Sequence, residues 1–433
     1  MKKIILTTGG ILIALAVVGG TIVYWTQLRG IWPAITKPEQ DIVRLIEQAS
    51  TSVSQPEEQA TPTTTTATPK PPKQTAPVIS QGPLRIPQGF SLSIFAKDLN
   101  DPRVLTTDPS NVLLASIPGK GNVVALIDTN NDGKSDETKI VVSGLNAPHG
   151  ILVQCAQENI CKLYVAETDK VSEFTYDAAA LTATNKRVIA SLPSGGGHST
   201  RTLLPYKNNL LVSIGSSCNV CNENDPNRAT IAKIDIGTGK TETFARGLRN
   251  AVFMAFNPLT GDIWATEMGR DLLGDNTPPD EINIIKQGGN YGWPICYGKN
   301  SHDTEFDKNT YFRNPCMEPF ETPSYIDIQA HSAPLGLAFI PNSWPEEYHN
   351  DLLVAYHGSW NRSVPTGYKI VRHQFNANGT YEGVTDFITG WIDGEQKTLG
   401  RPVDILFHAN GAAYISDDKA GVIYRLAPIT NKQ

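Results

Sequence analysis

One phrase recurs six times along the chain: a loop marked by small residues or proline, an apolar run, a polar turn and a second apolar run. The copies begin near Leu99 (LNDPRVLTTDPSNVLLAS), Leu145 (LNAPHGILVQ), Gly195 (GGGHSTRTLLPYKNNLLVSIG), Leu248 (LRNAVFMAFNPLTGDIWATE), His331 (HSAPLGLAFIPN) and Leu399 (LGRPVDILFHANGAAYISDD). Each reads as a strand, a hairpin turn and a second strand. Repetition at this spacing predicts a β-propeller, an all-β ring of blades around a central channel. The lead-in loops carry His149, His198, Arg249, His331 and Arg401. In a propeller these loops converge on one mouth, which Arg and His then line.

The stretches between the copies supply the outer strands. Gly121–Asp128, Lys170–Tyr176, Thr230–Ile236 and Gly367–Phe375 alternate polar and apolar residues as half-buried strands do. After the last copy only Gly421–Leu426 remains, so that blade is one strand short, and Phe90–Ala96 is placed to complete it. Closure of that kind leaves no open sheet edge at the join. The expectation is a six-bladed propeller over residues 83–428, its first strand closing the last blade, with insertions after the fourth and fifth copies.

Ahead of the propeller, residues 1–3 form a basic tip and Ile4–Trp25 is an apolar run of 22 residues. As a helix that run measures about 33 Å, enough to cross a bilayer. Its length favours an uncleaved transmembrane anchor over a cleaved signal peptide, with Lys2 and Lys3 on the cytoplasmic side and the rest of the chain exported, periplasmic or extracellular. Residues 26–82 read as a disordered linker, Thr/Pro-rich over 51–82, in which only Asp41–Gln48 has the makings of a short helix. The six cysteines fall into near pairs, Cys155 with Cys161, Cys218 with Cys221 and Cys296 with Cys316, and an oxidising compartment makes disulfides the default. A net charge of −6 without a basic block argues against nucleic acid as a partner.

The densest stretch runs from Gly247 to Pro294: GLRN, then Glu267-Met268-Gly269-Arg270-Asp271, then DEINIIKQGGNYGWP. This combination resembles the glucose/sorbosone dehydrogenase family, soluble enzymes that use pyrroloquinoline quinone (PQQ) and calcium. The resemblance covers roughly residues 88–427. The variants GGGHSTRTL, SCNVC, HGSWNR and GRPVD are closest to its sorbosone-dehydrogenase-like branch.

The residues suit that chemistry in their own right. PQQ is a planar quinone bearing carboxylates, and Arg supplies paired planar donors for such groups; Arg249, Arg362 and Arg401 are the candidates, with Asn250 and His149 as further pocket residues. By resemblance, His198 is the general base, Arg249 and Asn250 bind the quinone oxygens, and Arg249 stabilises charge developing there. Resemblance also implies that backbone carbonyls of Gly269 and Arg270 hold a catalytic calcium, with Asp271 placed to reinforce it, and that Glu281 and Tyr291 mark a structural calcium site. Arg401 matches the first arginine of a carboxylate clamp whose second member is Val403 here. Arg362 lies near a family lysine that contacts the cofactor.

Separately, Asp128, Asn130, Asp132 and Asp136 present oxygen ligands at alternating positions around Gly133, either a calcium-stabilised turn or an ordinary Asn/Asp/Gly turn; the EF-hand glutamate is absent, with Lys139 in its place. Trp360 and Tyr356 are near-mouth aromatics, for sugar stacking or blade packing.

These features predict a membrane-anchored oxidoreductase that oxidises a sugar or related alcohol or aldehyde and passes electrons to a respiratory acceptor, a quinone or a cytochrome. Two other readings remain: a calcium-dependent propeller hydrolase such as a lactonase, and a non-catalytic binding propeller.

Overall fold

The computed structural model describes residues 38–50, 78–157 and 160–429. The expected span 4–25 and most of the Thr/Pro-rich stretch lie outside them. Among the described residues no helix is long and apolar enough to cross a membrane.

Six four-stranded antiparallel sheets follow one another along the chain. Blade 1 comprises Leu105–Thr107, Leu113–Ile117, Asn122–Ile127 and Glu137–Val142; blade 2 comprises Ile151–Gln157, Ile160–Ala166, Lys170–Asp177 and Thr182–Ser191. Blade 3 comprises Leu203–Tyr206, Asn209–Ile214, Thr230–Asp235 and Thr241–Arg246; blade 4 comprises Ala251–Phe256, Ile263–Glu267, Asp280–Ile285 and Ile326–Ile328. Blade 5 comprises Pro334–Phe339, Leu352–Tyr356, Lys369–Phe375 and Tyr381–Ile388. Blade 6 takes Pro402–Phe407, Ala413–Asp417 and Val422–Pro428 from the end of the propeller and Phe90–Ala96 from its beginning. Ladder pairs run from Ile423 with Ala96 to Pro428 with Phe90, so the ring closes through the strand the short last blade required.

Burial explains the sequence pattern. The second strands Leu113–Ile117, Ile263–Glu267, Leu352–Tyr356 and Ala413–Asp417 are buried at every residue, because neighbouring blades cover both faces. The outermost strand Tyr381–Ile388 exposes alternate residues over most of its length, and Glu137–Val142 is largely exposed. The core is therefore packed between blades, and the lead-in loops and the long second-to-third-strand loops are left to shape the channel mouth.

The linker boundary shifts. Helix Pro38–Ser50 and a hairpin of Val78–Gln81 with Leu84–Pro87 are folded onto the ring. Ile42 and Ile46, one helical turn apart, are buried with Leu84, Ile86, Trp344, Tyr348 and Phe387. The approach is close enough to need glycine at residue 82 (φ +62°), where a Cβ would lie 2.9 Å from the Leu45 carbonyl. The helix contains the expected Asp41–Gln48, but two apolar side chains on one face are too short a signal to tell a docked helix from one within a linker.

All three near pairs of cysteines are disulfides: Cys155–Cys161 across the blade 2 hairpin, Cys218–Cys221, and Cys296–Cys316. The last staples the blade 4 insertion, which also holds the short ladder of Cys296–Tyr297 with Ser301–His302.

Candidate active site

Four lead-in loops meet at a cavity of about 230 Å³, bringing His198, Arg249 with Asn250, His331 and Arg401 together. The loop after Glu267 adds Met268, Gly269 and Asp271, and the loop after Tyr356 adds His357 to Asn361. The propeller thus does what the repeat predicted: residues far apart in sequence share one mouth because equivalent loops end at the same radius.

His198 is fixed by one ring nitrogen. Its Nδ1 lies 2.9 Å from the backbone oxygen of Ser216. A carbonyl only accepts, so Nδ1 carries the proton and Nε2 is left with its lone pair. Burial, with the Arg249 charge adding to it, pushes the imidazole down to about 4, so it is neutral at ordinary pH. The neighbouring residue 215 must be glycine: a Cβ there would lie 2.6 Å from both the His198 Cβ and Asn250 Oδ1.

Arg249 is held on several sides. Its Nε donates to the Asn219 backbone oxygen (2.8 Å), Nη1 to Met268 O (3.3 Å), and Nη2 to Asn219 Oδ1 (2.8 Å) and Asp271 Oδ2 (3.0 Å). Asn250 anchors its own backbone N–H on Glu267 Oε1 at 2.9 Å. Arg401 donates through Nε to His357 O (3.1 Å) and through Nη2 to Gly358 O (2.8 Å); among the described residues its Nη1 has no protein partner. Two guanidiniums in fixed poses beside an open cavity match an anionic planar ligand such as PQQ.

The loop after Glu267 divides its labour. Gly269 lines the cavity, and its backbone N–H donates to Asp280 Oδ1 at 2.9 Å. Among the described residues the carbonyl oxygens of Gly269 and Arg270 accept no hydrogen bond, which leaves them open to a cation. The Arg270 side chain turns away to Asp303 (2.8 Å). Asp271 already spends both carboxylate oxygens, on Arg249 and on Asn361 Nδ2 (3.0 Å).

Beneath this loop lies an acidic row. Glu267 and Glu281 face each other on paired strands of blade 4, and Asp327 continues the row on the next strand. Glu267 and Glu281 also line a second cavity of about 20 Å³, room for one water or ion. Among the described residues, Glu267 Oε2, Asn283 Oδ1 and both oxygens of buried Glu321 have no hydrogen-bond partner. Burial raises Glu281 to about 7 and Glu321 to about 8, the Glu281 charge adding to the latter. The unpartnered Glu267 Oε2, with the Glu281 carboxylate bordering the same one-atom space, fits a hard cation such as calcium. Tyr291 borders the same space, but its hydroxyl is occupied between Ile284 O (2.6 Å) and Lys286 N–H (2.8 Å), so only its backbone is available as a ligand.

Two expected cofactor residues lie elsewhere. Arg362 does not line the cavity; its guanidinium braces the neighbouring loop through Asp275 O (2.6 Å) and Ala330 O (3.3 Å). His149 is buried off the cavity, its Nδ1 3.3 Å from both Arg201 O and Thr202 Oγ1 and its ring edge-on to Phe253. Tyr356 is likewise interior, 3.2 Å from His373 Nε2, whereas Trp360 stands at the lip, 73 % exposed. The Asp128–Asp136 loop is an exposed turn on blade 1, apart from the mouth. Asp128 Oδ2 accepts Gly133 N–H at 2.9 Å, Asn130 Oδ1 accepts Asp132 N–H at 2.9 Å, and Asp136 Oδ2 accepts Thr129 N–H at 2.8 Å.

Sequence reasoning missed Asn219, Asp280 and the pair His357–Asp418. Asp280 lines the cavity and accepts the Gly269 and Ala333 N–H groups. His357 Nε2 is 3.0 Å from both Asp418 oxygens, and Arg103 braces the same carboxylate. For these the signal was only a polar residue in a loop already flagged.

The class defined by this fold and mouth is a six-bladed propeller with a cationic, histidine-bearing pocket beside a small space lined by buried carboxylates. Residues 84–428 match the family model described as TrAA12-like, and the chain belongs to that family. An uncharacterized protein of Borreliella burgdorferi is 34% identical over 361 residues, 79% of this chain and 90% of its own length. A pyrroloquinoline quinone-dependent pyranose dehydrogenase of Coprinopsis cinerea is 26% identical over 405 residues, 79% of this chain and 54% of that protein. The chain therefore spans about half the length of that relative. Among solved structures, the calcium structure of a Trichoderma reesei family AA12 enzyme superposes with a TM-score of 0.67 at 24% identity, over 79% of this chain and 96% of that one. The holo PQQ domain of the Coprinopsis pyranose dehydrogenase gives 0.67 at 23%, over 83% and 98%. At these identities the structural likeness bears on the fold.

Proposed function

We propose that the protein is a PQQ- and calcium-dependent dehydrogenase that oxidises a sugar at the propeller mouth. The observation that carries this reading is His198, with its Nε2 lone pair open beside a cavity flanked by Arg249 and Arg401. The pyranose and sugar dehydrogenases among its relatives support the substrate class.

Bound PQQ supplies a two-electron acceptor for the hydrogen lost from a sugar C–H. His198 takes the proton of the sugar hydroxyl at Nε2, and its Nδ1–H to Ser216 O keeps the ring in the basic tautomer. Arg249 stabilises negative charge next to that base, and Arg401 offers Nη1 to a cofactor carboxylate. The open carbonyls of Gly269 and Arg270 would hold a catalytic calcium, and Glu281 with Glu267 would hold a structural one at the small space between them. Trp360 gives the sugar an aromatic face at the lip.

In the cell, Lys2-Lys3 and Ile4–Trp25 anchor the chain, the propeller lies outside the cytoplasm and electrons pass to a respiratory acceptor. Three disulfides among the described residues favour such an oxidising compartment.

The test is dye reduction by the full chain with PQQ and calcium across pyranoses, sorbosone and simple alcohols. Turnover with at least one sugar, lost in His198→Ala, is expected. Hydrolysis of a lactone without quinone, or no turnover with any compound, overturns the reading.

A further inference from the structure

The loop closed by the Cys218–Cys221 disulfide reaches both reactive side chains of the mouth. Asn219, inside that loop, makes four hydrogen bonds, two with Arg249 and two with its partner Asp271. Its backbone oxygen accepts Arg249 Nε–H (2.8 Å), and its Oδ1 accepts both Arg249 Nη2–H (2.8 Å) and the Asp271 backbone N–H (2.7 Å). Its Nδ2 donates to Asp271 O at 3.0 Å. On the other side of the loop, Ser216 Oγ donates to Cys218 O (2.6 Å), while Ser216 N–H donates to Arg249 O (2.7 Å) and Ser216 O accepts His198 Nδ1–H.

An Arg side chain has four rotatable bonds, and holding it in one pose beside an open pocket costs rotamer entropy. Asp271 alone would fix one nitrogen. Asn219 accepts a second bond from that same nitrogen, Nη2, through its side chain and fixes Nε through its backbone, and it also locks Asp271 by a reciprocal amide pair. A four-residue ring closed by a disulfide has little freedom to withdraw those acceptors.

We propose that Asn219 is the positioning residue for Arg249, and that the Cys218–Cys221 disulfide keeps it in place, so that opening this disulfide loosens the cationic side of the pocket without unfolding the propeller. The inference rests on Arg249 as a ligand-binding residue, but the pose of Arg249 is measurable without any ligand.

The experiment follows the guanidinium protons of Arg249 by NMR in the cofactor-free full chain, assigned with Arg249→Lys. In the wild type, Nε–H and Nη2–H exchange slowly. In Asn219→Ala the Nη signals average, while those of Arg201 and Arg372, held by other loops, are unchanged. In Cys218→Ser/Cys221→Ser the Nε–H protection is lost as well. Mild reduction of the folded wild type repeats that loss, should either variant fail to fold. PQQ affinity in Asn219→Ala falls at least tenfold. Wild-type protection of Arg249 in Asn219→Ala, or after the disulfide is opened, overturns the proposal. A wild type that shows the protected signals yet binds no PQQ refutes the function reading and leaves the positioning role standing.

Discussion

Glu267 and Glu281 stand directly opposite one another on the second and third strands of blade 4, both buried, with Glu267 Oε2 unpartnered. Like charges in facing sheet positions repel, and burial strips them of water. The pair is tolerable if protons or a cation neutralise it. In the cation-free protein burial raises Glu281 to about 7 and Glu321 to about 8.

The sign of the pH effect follows. With folded values above the ordinary 4.5, the folded state binds more protons than the unfolded one between about pH 4.5 and 8. Cation-free protein therefore loses stability as pH rises through that window. Calcium removes the loss, binds more tightly at pH 8 than at pH 6, and releases protons on binding. Thermal melts with and without chelator at the two pH values check this; a cation-free protein equally stable at both contradicts it.

Glu281→Gln removes one charge of the row. In calcium its melting temperature falls by several degrees, since ligand at about 100 times Kd contributes about 2.7 kcal/mol. Its chelated form loses less on raising the pH than the chelated wild type. Differential scanning calorimetry of the four samples decides.

His198 titrates well below an ordinary histidine in the cofactor-free protein, near 4, because it is buried beside Arg249. Replacing the guanidinium in Arg249→Gln removes a repelling charge and moves the imidazole upward, toward 6.5. Ring-proton NMR against pH reads both. With cofactor and sugar, His198→Ala lowers kcat by about 10²–10⁴, the usual contribution of a positioned base.

Helix Pro38–Ser50 is part of the folded unit. Ile46→Ala costs about 2–5 kcal/mol, the range for a buried aliphatic truncated to alanine. A chain beginning at residue 83 exposes Leu84, Ile86 and their neighbours and melts lower than one that keeps the helix. Equal melting temperatures would show that the helix contributes nothing.

The ring was legible because its evidence is periodic. Six copies of one phrase give six blades, and a last blade one strand short calls for Phe90–Ala96. Pairing of the cysteines was legible because partners sit close in sequence. His198, Arg249, Asn250 and Arg401 reached one cavity because equivalent lead-in loops end at the same place in each blade, and Gly269 joins them from the loop after Glu267. What a loop residue faces is another matter. Arg362 and Trp360 are two residues apart, yet one braces Asp275 and the other lines the mouth. His149 occupies a lead-in loop like His198, but Phe253 and Arg201 enclose it. The acidic row depends on strand register, which aligns Glu267 with Glu281 across a loop of a dozen residues. Asn219 gains its meaning from Arg249 and Asp271, which reach it from two other loops.

Arg401 tests the anionic side of the proposed ligand separately from the chemistry. Arg401→Ala removes the free Nη1 and weakens PQQ binding by about 10–100-fold, the loss of a charged hydrogen bond worth about 1.5–3 kcal/mol. At saturating cofactor its kcat is close to wild type. A kcat loss with unchanged affinity would place Arg401 in the reaction instead.

In the proposed function the propeller mouth holds PQQ with calcium. Equilibrium titration of the full chain with PQQ, in calcium and in chelator, measures it directly. Saturable binding at one site in calcium is expected, weakened by chelation and by Arg401→Ala and retained in His198→Ala. Absence of PQQ binding to the folded, calcium-loaded protein would contradict it.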